Sequence, residues 1–254
     1  MNFNLLKNRK KKKEEIHWSS IYLIIKDMKI IIFEPHPDDL LFGPGPILLQ
    51  WIKEGEHNIH VVTVIDGRAC YRASKDMLSE DALKMTEDDV AEMRINEAKQ
   101  SIKFLGLPSK NHHLFKFHDA DGQKYAKEGI MKAKPLINGF DRIVLPSNHN
   151  LHIDHQATHD IAIGAAKELN LVNVEYFVYF IASYGKFKED SKDKQFNYTI
   201  DEETADILKE WLNIYKSQEN LKWTWKMYSR YLRKIRTWTY AKYNFEDIGK
   251  YYNF

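Results

Sequence analysis

The sequence predicts an α/β fold in which helices cover both faces of a mainly parallel sheet. Several short runs of β-branched and aromatic residues, such as residues 30–33, lack the polar alternation of half-exposed strands. Runs of this kind are typical of parallel strands that are buried on both faces. Segments with helical periodicity separate them, and a strand–helix–strand order predicts right-handed βαβ units. A chain of 254 residues is long enough to bury a substantial core in one large domain.

Five strands are predicted from β-rich runs that end at proline, glycine or charged residues. They cover residues 30–33, 59–65, 111–117, 141–146 and 174–182. The first ends at Pro35 and the fourth at Pro146, whereas Asp66 and Gly67 stop the second. Proline and glycine mark strand ends because proline cannot donate to the hydrogen-bond ladder and glycine readily enters turns.

Five helices are predicted where apolar residues recur every three or four positions. They cover residues 40–53, 88–105, 125–137, 153–169 and 202–217. Pro44 and Pro46 suit an irregular entry to the first of these helices, and Pro135 weakens the third. Residues 68–87 have no clear period and carry many charges, so we interpret them as a long loop over the mouth of a site.

The two ends of the chain differ in character from its centre. Residues 183–254 predict a helical and aromatic C-terminal extension, in which residues 221–243 interleave aromatic rings with lysine and arginine. That pattern can bind single-stranded nucleic acid by stacking, but its helical spacing favours rings that pack on the sheet. Residues 1–27 form a basic extension ahead of a single domain, residues 28–254. The predicted architecture is thus a Rossmann-like three-layer sandwich with a helical C-terminal extension.

Composition excludes several classes of protein. The net charge of +2 is too near zero to imply a polyanion partner for the whole chain. A single cysteine, Cys70, excludes an internal disulfide and a multi-cysteine zinc site, so any metal must be held by histidine and carboxylate. We find no apolar run of about 18 residues and no signal peptide. We therefore expect a soluble cytoplasmic protein without a nucleic-acid partner or a transmembrane segment, and the sequence is compatible with a homo-oligomer.

Two clusters of histidine and aspartate follow predicted strands. The residues are His36, Asp38 and Asp39 after the first strand, and His152, Asp154 and His155 after the fourth. Because ligands bind beyond the carboxyl ends of parallel strands, the two clusters should meet at one edge of the sheet. His36, Asp39 and one of the two later histidines would then supply two imidazoles and a carboxylate, a ligand set of catalytic zinc.

Simpler interpretations of these residues stay open at this point. An aspartate is a favoured N-cap, so Asp38 and Asp39 could serve only to cap the following helix. A single histidine is more often a surface or core residue than a ligand. His149 and His159 carry no specific signal, and we interpret both as structural.

At these residues the sequence resembles the LmbE/PIG-L-like zinc-dependent de-N-acetylases. Residues 35–39 are similar to the first family motif, Pro-His-Pro-Asp-Asp, and residues 152–157 to the second. Weaker similarities follow in the family order at residues 62–67, 94–98, 105–107 and 215–218. The resemblance covers about residues 28–220. It departs from the family at Leu40, where glutamate is common, and at Ile153, where proline is frequent.

The resemblance implies a role for each motif residue. The zinc ligands would be His36, Asp39 and His155. Asp38 would be the general base that takes a proton from the zinc-bound water. His152 would support the tetrahedral oxyanion, or act as an acid when its ring is charged, and Asp154 would orient a histidine. We also expect Arg68, in the loop over the site, to contact substrate. The expected cofactor is Zn²⁺, and another divalent metal would suit the same ligands.

The implied reaction is hydrolysis of an N-acetyl group on a small amino-sugar substrate, usually an N-acetylglucosamine derivative. An acetamide requires a strong nucleophile, a polarised carbonyl and a proton for the departing amine. Zinc would meet the first two needs, and a carboxylate–histidine pair would transfer the proton. Two alternatives stay open: an amidase of the same fold with a different amide substrate, and a polyanion-binding protein that uses the basic and aromatic segments.

Overall fold

The structure, a computed structural model, describes residues 27–55, 57–72, 75–181 and 193–251. One seven-stranded sheet has the strand order β3-β2-β1-β4-β5-β7-β6. The strands are β1 (Lys29–Glu34), β2 (Asn58–Ile65), β3 (His112–Phe117), β4 (Arg142–Pro146), β5 (Glu175–Tyr179), β6 (Gln195–Thr199) and β7 (Thr237–Tyr243). The first five strands are parallel to one another, whereas β7 runs antiparallel to both of its neighbours, β5 and β6.

The described ranges also contain nine α-helices. They are α1 (Asp39–Phe42), α2 (Gly45–Glu54), α3 (Glu87–Phe104), α4 (Ala126–Ile137), α5 (Ile153–Glu168), α6 (Glu202–Leu212), α7 (Lys216–Glu219), α8 (Lys222–Lys234) and α9 (Phe245–Tyr251). The predicted loop at 68–87 contains short 3₁₀ turns at Arg68–Tyr71, Lys75–Met77 and Ala82–Lys84. None of the described helices combines the length and the apolar character that a membrane span needs.

Two apolar layers enclose the sheet, because alternate side chains of a strand point to opposite faces. On β1, Ile30 and Ile32 pack in the layer that includes residues of α2 and α6. Ile31 and Phe33 pack in the opposite layer, with residues of α4 and α5. All four side chains are completely buried, which explains why the strand shows no polar alternation. The predicted α/β sandwich with helices on both faces is confirmed.

The direction of the strand order reverses beside β1. The chain proceeds outward through β2 and β3, and then returns to place β4 on the other side of β1. The two central strands pair in parallel, with Ile31 opposite Ile143. Loops that leave the carboxyl ends of such a strand pair diverge, and the crevice between them is the usual ligand site of an open α/β sheet. Both predicted His/Asp clusters follow these two strand ends.

The prediction of an all-helical wrap at residues 221–243 was wrong in part. Residues 222–234 are helical, as α8, but residues 237–243 form β7, which joins β5 to the unpredicted edge strand β6. Trp238 and Tyr240 point into the core, while Thr237 and Lys242 are exposed. The short Trp-Thr-Tyr alternation is a strand pattern that the aromatic content of the segment obscured.

Two of the predicted helices are interrupted. The helix predicted at 40–53 divides into α1 and α2 at Gly43, and Pro44 is the N-cap of α2. The helix predicted at 202–217 ends at Leu212, and α7 begins only at Lys216. The other three match closely, and Pro135 lies inside α4 close to its C-terminal end. The predicted basic extension, residues 1–27, lies outside the described residues except for Asp27, and the domain boundary stays a prediction.

We expect the protein to lose stability in mild acid because of His159. Burial lowers the pKa of this completely buried ring to about 3, and Nδ1 contacts the carbonyl oxygen of Pro146. In the unfolded chain, His159 binds a proton near pH 6.5, whereas in the folded chain the ring stays neutral until the pH approaches 3. The contribution of His159 to the free energy of unfolding is therefore complete above pH 6.5 and declines as the pH falls towards 3. Between pH 7 and pH 5 the free energy of unfolding should fall by about 2 kcal/mol from this group. Urea titrations at both pH values measure the change, which His159→Gln should reduce; an unchanged difference would contradict the assignment.

Candidate metal centre

The turn after β1 points its two adjacent carboxylates in different directions. Asp39 Oδ2 accepts a hydrogen bond from the backbone N–H of His36 at 2.8 Å and lies 3.0 Å from Nδ1 of the same ring. Asp38 occupies the N-cap position of α1 but makes no side-chain cap. Instead, its Oδ1 accepts a hydrogen bond of 2.6 Å from Nη2 of Arg94. The interpretation of Asp38 as only a helix cap was therefore wrong.

The loop after β4 and the first turn of α5 carry the second cluster. His152 is the N-cap of α5, and its Nδ1 accepts a hydrogen bond of 3.3 Å from the backbone N–H of Asp154. His155 Nε2 lies 3.2 Å from Asp39 Oδ2, and its Nδ1 lies 3.0 Å from the side-chain amide of Asn150. The amide contact orients the imidazole ring so that Nε2 faces the first cluster.

Asp154 connects the second cluster to a further loop. Its carboxylate is completely buried, and Oδ2 lies 3.3 Å from His36 Nε2 and 3.8 Å from His152 Nδ1. The same carboxylate accepts hydrogen bonds of 2.9 and 2.8 Å from the backbone N–H groups of Ala120 and Gly122. A Cβ on Gly122 would lie 2.6 Å from Asp154 Oδ1, so this close approach requires glycine. The position suits the predicted orienting role of Asp154, which stays a prediction.

Among the described residues, two overlapping groups bring three ligand atoms within 4.8 Å of one another. One is His36, Asp39 and His155, and the other is His36, His152 and Asp154. The first group is the predicted ligand set, and all three of its members are buried. His36 belongs to both groups because its two ring nitrogens face opposite carboxylates. The structure thus brings together five of the six predicted residues of both clusters, and the sixth, Asp38, lines the same cavity as His36, Asp39 and His152.

The site holds an excess of buried negative charge. Four carboxylates that are at most 7% exposed converge on it: Asp38, Asp39, Asp119 and Asp154. Burial alone would lower the pKa of His36, but Asp119, Asp154 and Asp39 together raise that pKa well above 6.5. Burial opposes the charge of Asp39, yet His155 and His36 bring the pKa of Asp39 well below 3.8. A divalent cation would balance such a cluster, and imidazole with carboxylate is a donor set that suits zinc.

His152 lies at the edge of the site, where 30% of its side chain is exposed. Burial and the charges of His36 and His155 lower the pKa of His152 to about 4. Its ring is therefore neutral at pH 7 in this arrangement. The predicted use of His152 as an acid requires the charged form, so that role stays a prediction.

Sequence reasoning missed Asp119. Its Oδ1 lies 3.5 Å from His36 Nε2, and its Oδ2 accepts a hydrogen bond of 2.9 Å from the backbone N–H of Ala69. Asp119 follows β3 by two residues, so it too lies beyond the carboxyl end of a parallel strand. The rule that identified the first two clusters would have identified Asp119 if it had been applied to this strand.

Three of the weaker family similarities, at residues 62–67, 94–98 and 215–218, meet beside the site. Arg94 of α3 contacts Asp38 and also donates a hydrogen bond of 2.8 Å to Cys70 Sγ. Gly67 has φ of +77°, and a Cβ at that position would lie 2.3 Å from Arg94 Nε. One turn after Arg94, Glu97 accepts hydrogen bonds of 2.7 and 2.6 Å from the backbone N–H and hydroxyl of Ser217. These contacts attach the segment around α7 to the wall of the site.

A buried glutamate, Glu34, contacts Leu40, the position where the sequence departs from the family pattern. Leu40 is 1% exposed and packs in an apolar layer. Glu34, buried at the end of β1, accepts a hydrogen bond of 3.0 Å from the backbone N–H of Leu40 and one of 2.6 Å from the hydroxyl of Thr63. A buried carboxyl group therefore supports the first turn of α1, but it comes from the strand before the motif.

The two clusters open into a cavity of about 430 Å³. Residues of both motifs line it, together with Asp119, Gln218, Leu221 at the N-cap of α8, and Thr224 and Tyr228 of its first two turns. Arg68 lines a separate, smaller cavity, where its side chain pairs with Asp66 at 2.8 Å and with Asp88 at 2.7 Å. Its predicted contact with substrate stays a prediction.

Three solved structures are similar in fold to the chain. The zinc-inhibited form of teicoplanin deacetylase Orf2 is 17% identical, with 85% of this chain and 98% of that chain covered and a TM-score of 0.60. N,N'-diacetylchitobiose deacetylase from Pyrococcus horikoshii is 16% identical, with coverage of 86% and 85% and a TM-score of 0.60. GalB, the 4-carboxy-2-hydroxymuconate hydratase from Pseudomonas putida KT2440, is 13% identical, with coverage of 85% and 95% and a TM-score of 0.56. At these identities the likeness is one of fold.

The family of the chain follows from the comparison of its sequence with known families. No curated protein sequence matches the chain. The PIG-L family, described as GlcNAc-PI de-N-acetylase, matches residues 31–166, which is more than half of the 254 residues. The matched range begins in β1 and ends in α5, so it contains both His/Asp clusters and the strands that place them. The chain therefore belongs to the PIG-L family.

Proposed function

We propose that the protein is a zinc-dependent hydrolase that removes the N-acetyl group from an N-acetylglucosamine-type amino sugar or conjugate. The observation that supports it most is the convergence of His36, Asp39 and His155 beside Asp38, in a chain of the PIG-L family. Two of the structurally similar proteins are deacetylases, which is consistent with this chemistry. The third is a hydratase, so the reaction must be tested rather than taken from the fold.

In this proposal, His36, Asp39 and His155 would hold the metal, which would act as a Lewis acid and would lower the pKa of a bound water to roughly 7. Asp38 belongs to neither group of converging ligand atoms, and Arg94 donates a hydrogen bond of 2.6 Å to its Oδ1, which supports a role as base rather than as ligand. Its other oxygen takes the proton of the water as the new C–O bond forms. Arg94 keeps the carboxylate oriented, so the base does not move towards the metal ligands during the reaction.

The second cluster serves the departing amine. His152, at the cavity wall, stabilises the charge that develops on the carbonyl oxygen. When the C–N bond breaks, the amine nitrogen takes the proton that Asp38 removed from the water, and acetate and free amino sugar leave. Asp154 holds the loop and the histidines in place through its bonds to Ala120 and Gly122. A cavity of about 430 Å³ is within the usual size range of small-ligand sites and suits a sugar with its acetamide.

Metal content and acetate release test the proposal directly. We expect one tightly bound metal ion per chain, and acetate release from N-acetylglucosamine conjugates that stops with a chelator and returns with metal. Because one similar protein is described in a zinc-inhibited form, zinc should be titrated from substoichiometric to excess amounts beside cobalt, nickel and manganese. A panel of other amide conjugates separates a de-N-acetylase from an amidase of different specificity.

A matched variant controls for folding. His149 lies in the same loop as His152 but belongs to neither group of ligand atoms. His149→Ala should therefore retain the metal, whereas His155→Ala should lose it. A folded protein that is free of metal and still releases acetate would overturn the proposal.

A further inference from the structure

One wall of the cavity is formed by uncharged residues of α8 and its N-cap. Leu221, Thr224 and Tyr228 line the cavity, and their spacing of three and four residues places them on one face of the helix. We call these three residues the α8 wall. The other lining residues include carboxylates and histidines of the two motifs. The family match ends at residue 166, so the α8 wall lies in a part of the chain that the match does not cover.

Contacts at both ends hold the α8 wall beside the turn that follows β1. The ring of Tyr228 lies 4.1 Å from that of Phe42, centroid to centroid, and Phe42 ends the helical turn that begins at Asp39. At the other end, Leu221 pairs with Leu78 in an antiparallel bridge. Leu221 and Tyr228 are only 4% and 8% exposed, so neither side chain can withdraw without disturbing the packing behind it.

A short series of contacts connects the start of the α8 wall to the proposed base. Gln218 lies just before the wall and also lines the cavity. Its side-chain nitrogen is 3.5 Å from Cys70 Sγ, which accepts a hydrogen bond of 2.8 Å from Arg94. Arg94 in turn donates a hydrogen bond to Asp38. The wall therefore extends from the side of the base to the side of α1, with Thr224 in the middle.

Burial distinguishes the deep part of the cavity from its mouth. Leu221 and Tyr228 are both less than a tenth exposed, whereas the side chains of Arg72 and His152 are 52% and 30% exposed. Arg72 and His152 therefore mark the mouth, and only that end leaves room for a sugar with a conjugated group. The acyl group is the smaller part of the amide, so it points inward, towards the α8 wall.

We propose that the α8 wall receives the acyl group of the amide and limits its length. This inference rests on the proposed hydrolase function, which places the amide carbon beside Asp38. The methyl group of an acetyl packs against the apolar surfaces of Leu221 and Tyr228. A longer acyl chain has to displace one of these side chains or leave the reactive carbon out of place. Thr224, between them, sets the depth that remains.

Hydrolysis of N-acetyl-, N-propionyl- and N-butyryl-glucosamine by the metal-loaded full chain tests this specificity. For the parent protein, kcat/KM should fall by about tenfold for each added methylene. Thr224→Ala removes volume from the middle of the wall. It should raise kcat/KM for the N-propionyl substrate, relative to the N-acetyl substrate, by about tenfold. Thr224→Phe fills the same space and should lower this ratio by a similar factor.

Lys226 provides a matched control on the same helix. Its side chain is exposed and does not line the cavity. Lys226→Ala and Lys226→Phe should leave the ratio of the two kcat/KM values at that of the parent protein. Within the described ranges the Thr224 hydroxyl makes no hydrogen bond, so we expect the Thr224 variants to fold, which circular dichroism checks.

Calorimetry separates a failure of this proposal from a failure of the proposed function. Asp38→Asn is expected to bind the amide without turnover, so it gives the affinities for the N-acetyl and N-propionyl sugars directly. Adding Thr224→Ala should shift the ratio of these affinities in the same direction as the ratio of kcat/KM values. If no substrate is hydrolysed but the affinity ratio shifts, the proposed reaction is wrong and the role of the α8 wall is supported. An affinity ratio that Thr224→Ala leaves unchanged, or the absence of measurable binding, would overturn the role of the wall.

Discussion

Replacing Asp38 with asparagine is expected to lower kcat by about 10²–10⁴-fold, the usual contribution of a positioned general base. Asparagine keeps the shape of the side chain, and its oxygen still accepts the hydrogen bond that Arg94 donates to Asp38. It cannot take a proton from water. The metal content of Asp38→Asn should equal that of the parent protein, because Asp38 is not in the ligand group.

His36→Ala is the contrasting variant for this prediction. The ring of His36 belongs to both groups of ligand atoms, so its loss should remove metal and turnover together. Single-turnover assays and metal analysis on the two variants distinguish loss of the base from loss of the site. Asp38→Asn with full activity would show that another group takes the proton.

The second large effect concerns Glu34 and Leu40. Glu34→Ala leaves the backbone N–H of Leu40 without its buried acceptor and removes one of the two partners of the Thr63 hydroxyl, which should cost about 1–3 kcal/mol of unfolding free energy. Glu34→Gln should cost far less. Its oxygen can accept from Leu40, and its amide can donate to Thr63, whose hydroxyl then turns to His112 Nε2, 2.8 Å away.

Moving the buried carboxyl group from position 34 to position 40 tests whether Glu34 takes the place of the glutamate that the family commonly has at position 40. Leu40 belongs to the apolar layer that contains Ile30 and Ile32. Glu34 faces the same layer, because alternate residues of a strand point to the same side of the sheet and residue 34 follows residues 30 and 32 in this alternation. Leu40→Glu alone adds a second buried carboxylate and should destabilise the protein strongly. Combined with Glu34→Ala, it restores one carboxylate in the position common in the family. We expect a favourable coupling of at least about 1 kcal/mol in the double-mutant cycle.

A neighbouring position provides the control for this cycle. Leu41 is also completely buried in the same layer, but the Glu34 carboxyl group does not accept its backbone N–H. Glu34→Ala/Leu41→Glu should therefore show no rescue. Urea titrations and metal affinity by calorimetry measure both cycles, and additive behaviour of the Leu40 pair would contradict the compensation.

Local patterns were sufficient wherever a strand is buried on both faces. Ile30–Phe33 could be assigned because a parallel strand in the centre of a sheet requires an unbroken apolar run. The motifs after β1 and β4 were predicted to meet because parallel strands direct their carboxyl ends to one edge. The C-terminal strands β6 and β7 were not predicted, because an antiparallel edge strand has a short, mixed pattern that aromatic residues such as Trp238 also show in helices.

The contacts around Asp38 and Asp119 could not be predicted from local patterns. Arg94 reaches Asp38 from a position 56 residues later in the chain, and Ser217 reaches Glu97 across 120 residues. Nothing in the periodicity of α3 indicates which residue will face the site, because that depends on how α3 packs over the sheet. Glu34 likewise has the appearance of an ordinary strand-end residue until its hydrogen bond to Leu40 is seen.

Short-range patterns and the common direction of parallel strands are enough to predict the α/β class, the central strands and the six histidine and aspartate residues of the two clusters. They do not show which ring nitrogen faces which carboxylate, that Arg94 holds Asp38 apart from Asp39, or that Asp119 joins the site. Those choices follow from the packing of α3, α5 and the loop after β3 around one crevice. Packing between distant segments leaves no periodic trace in the sequence.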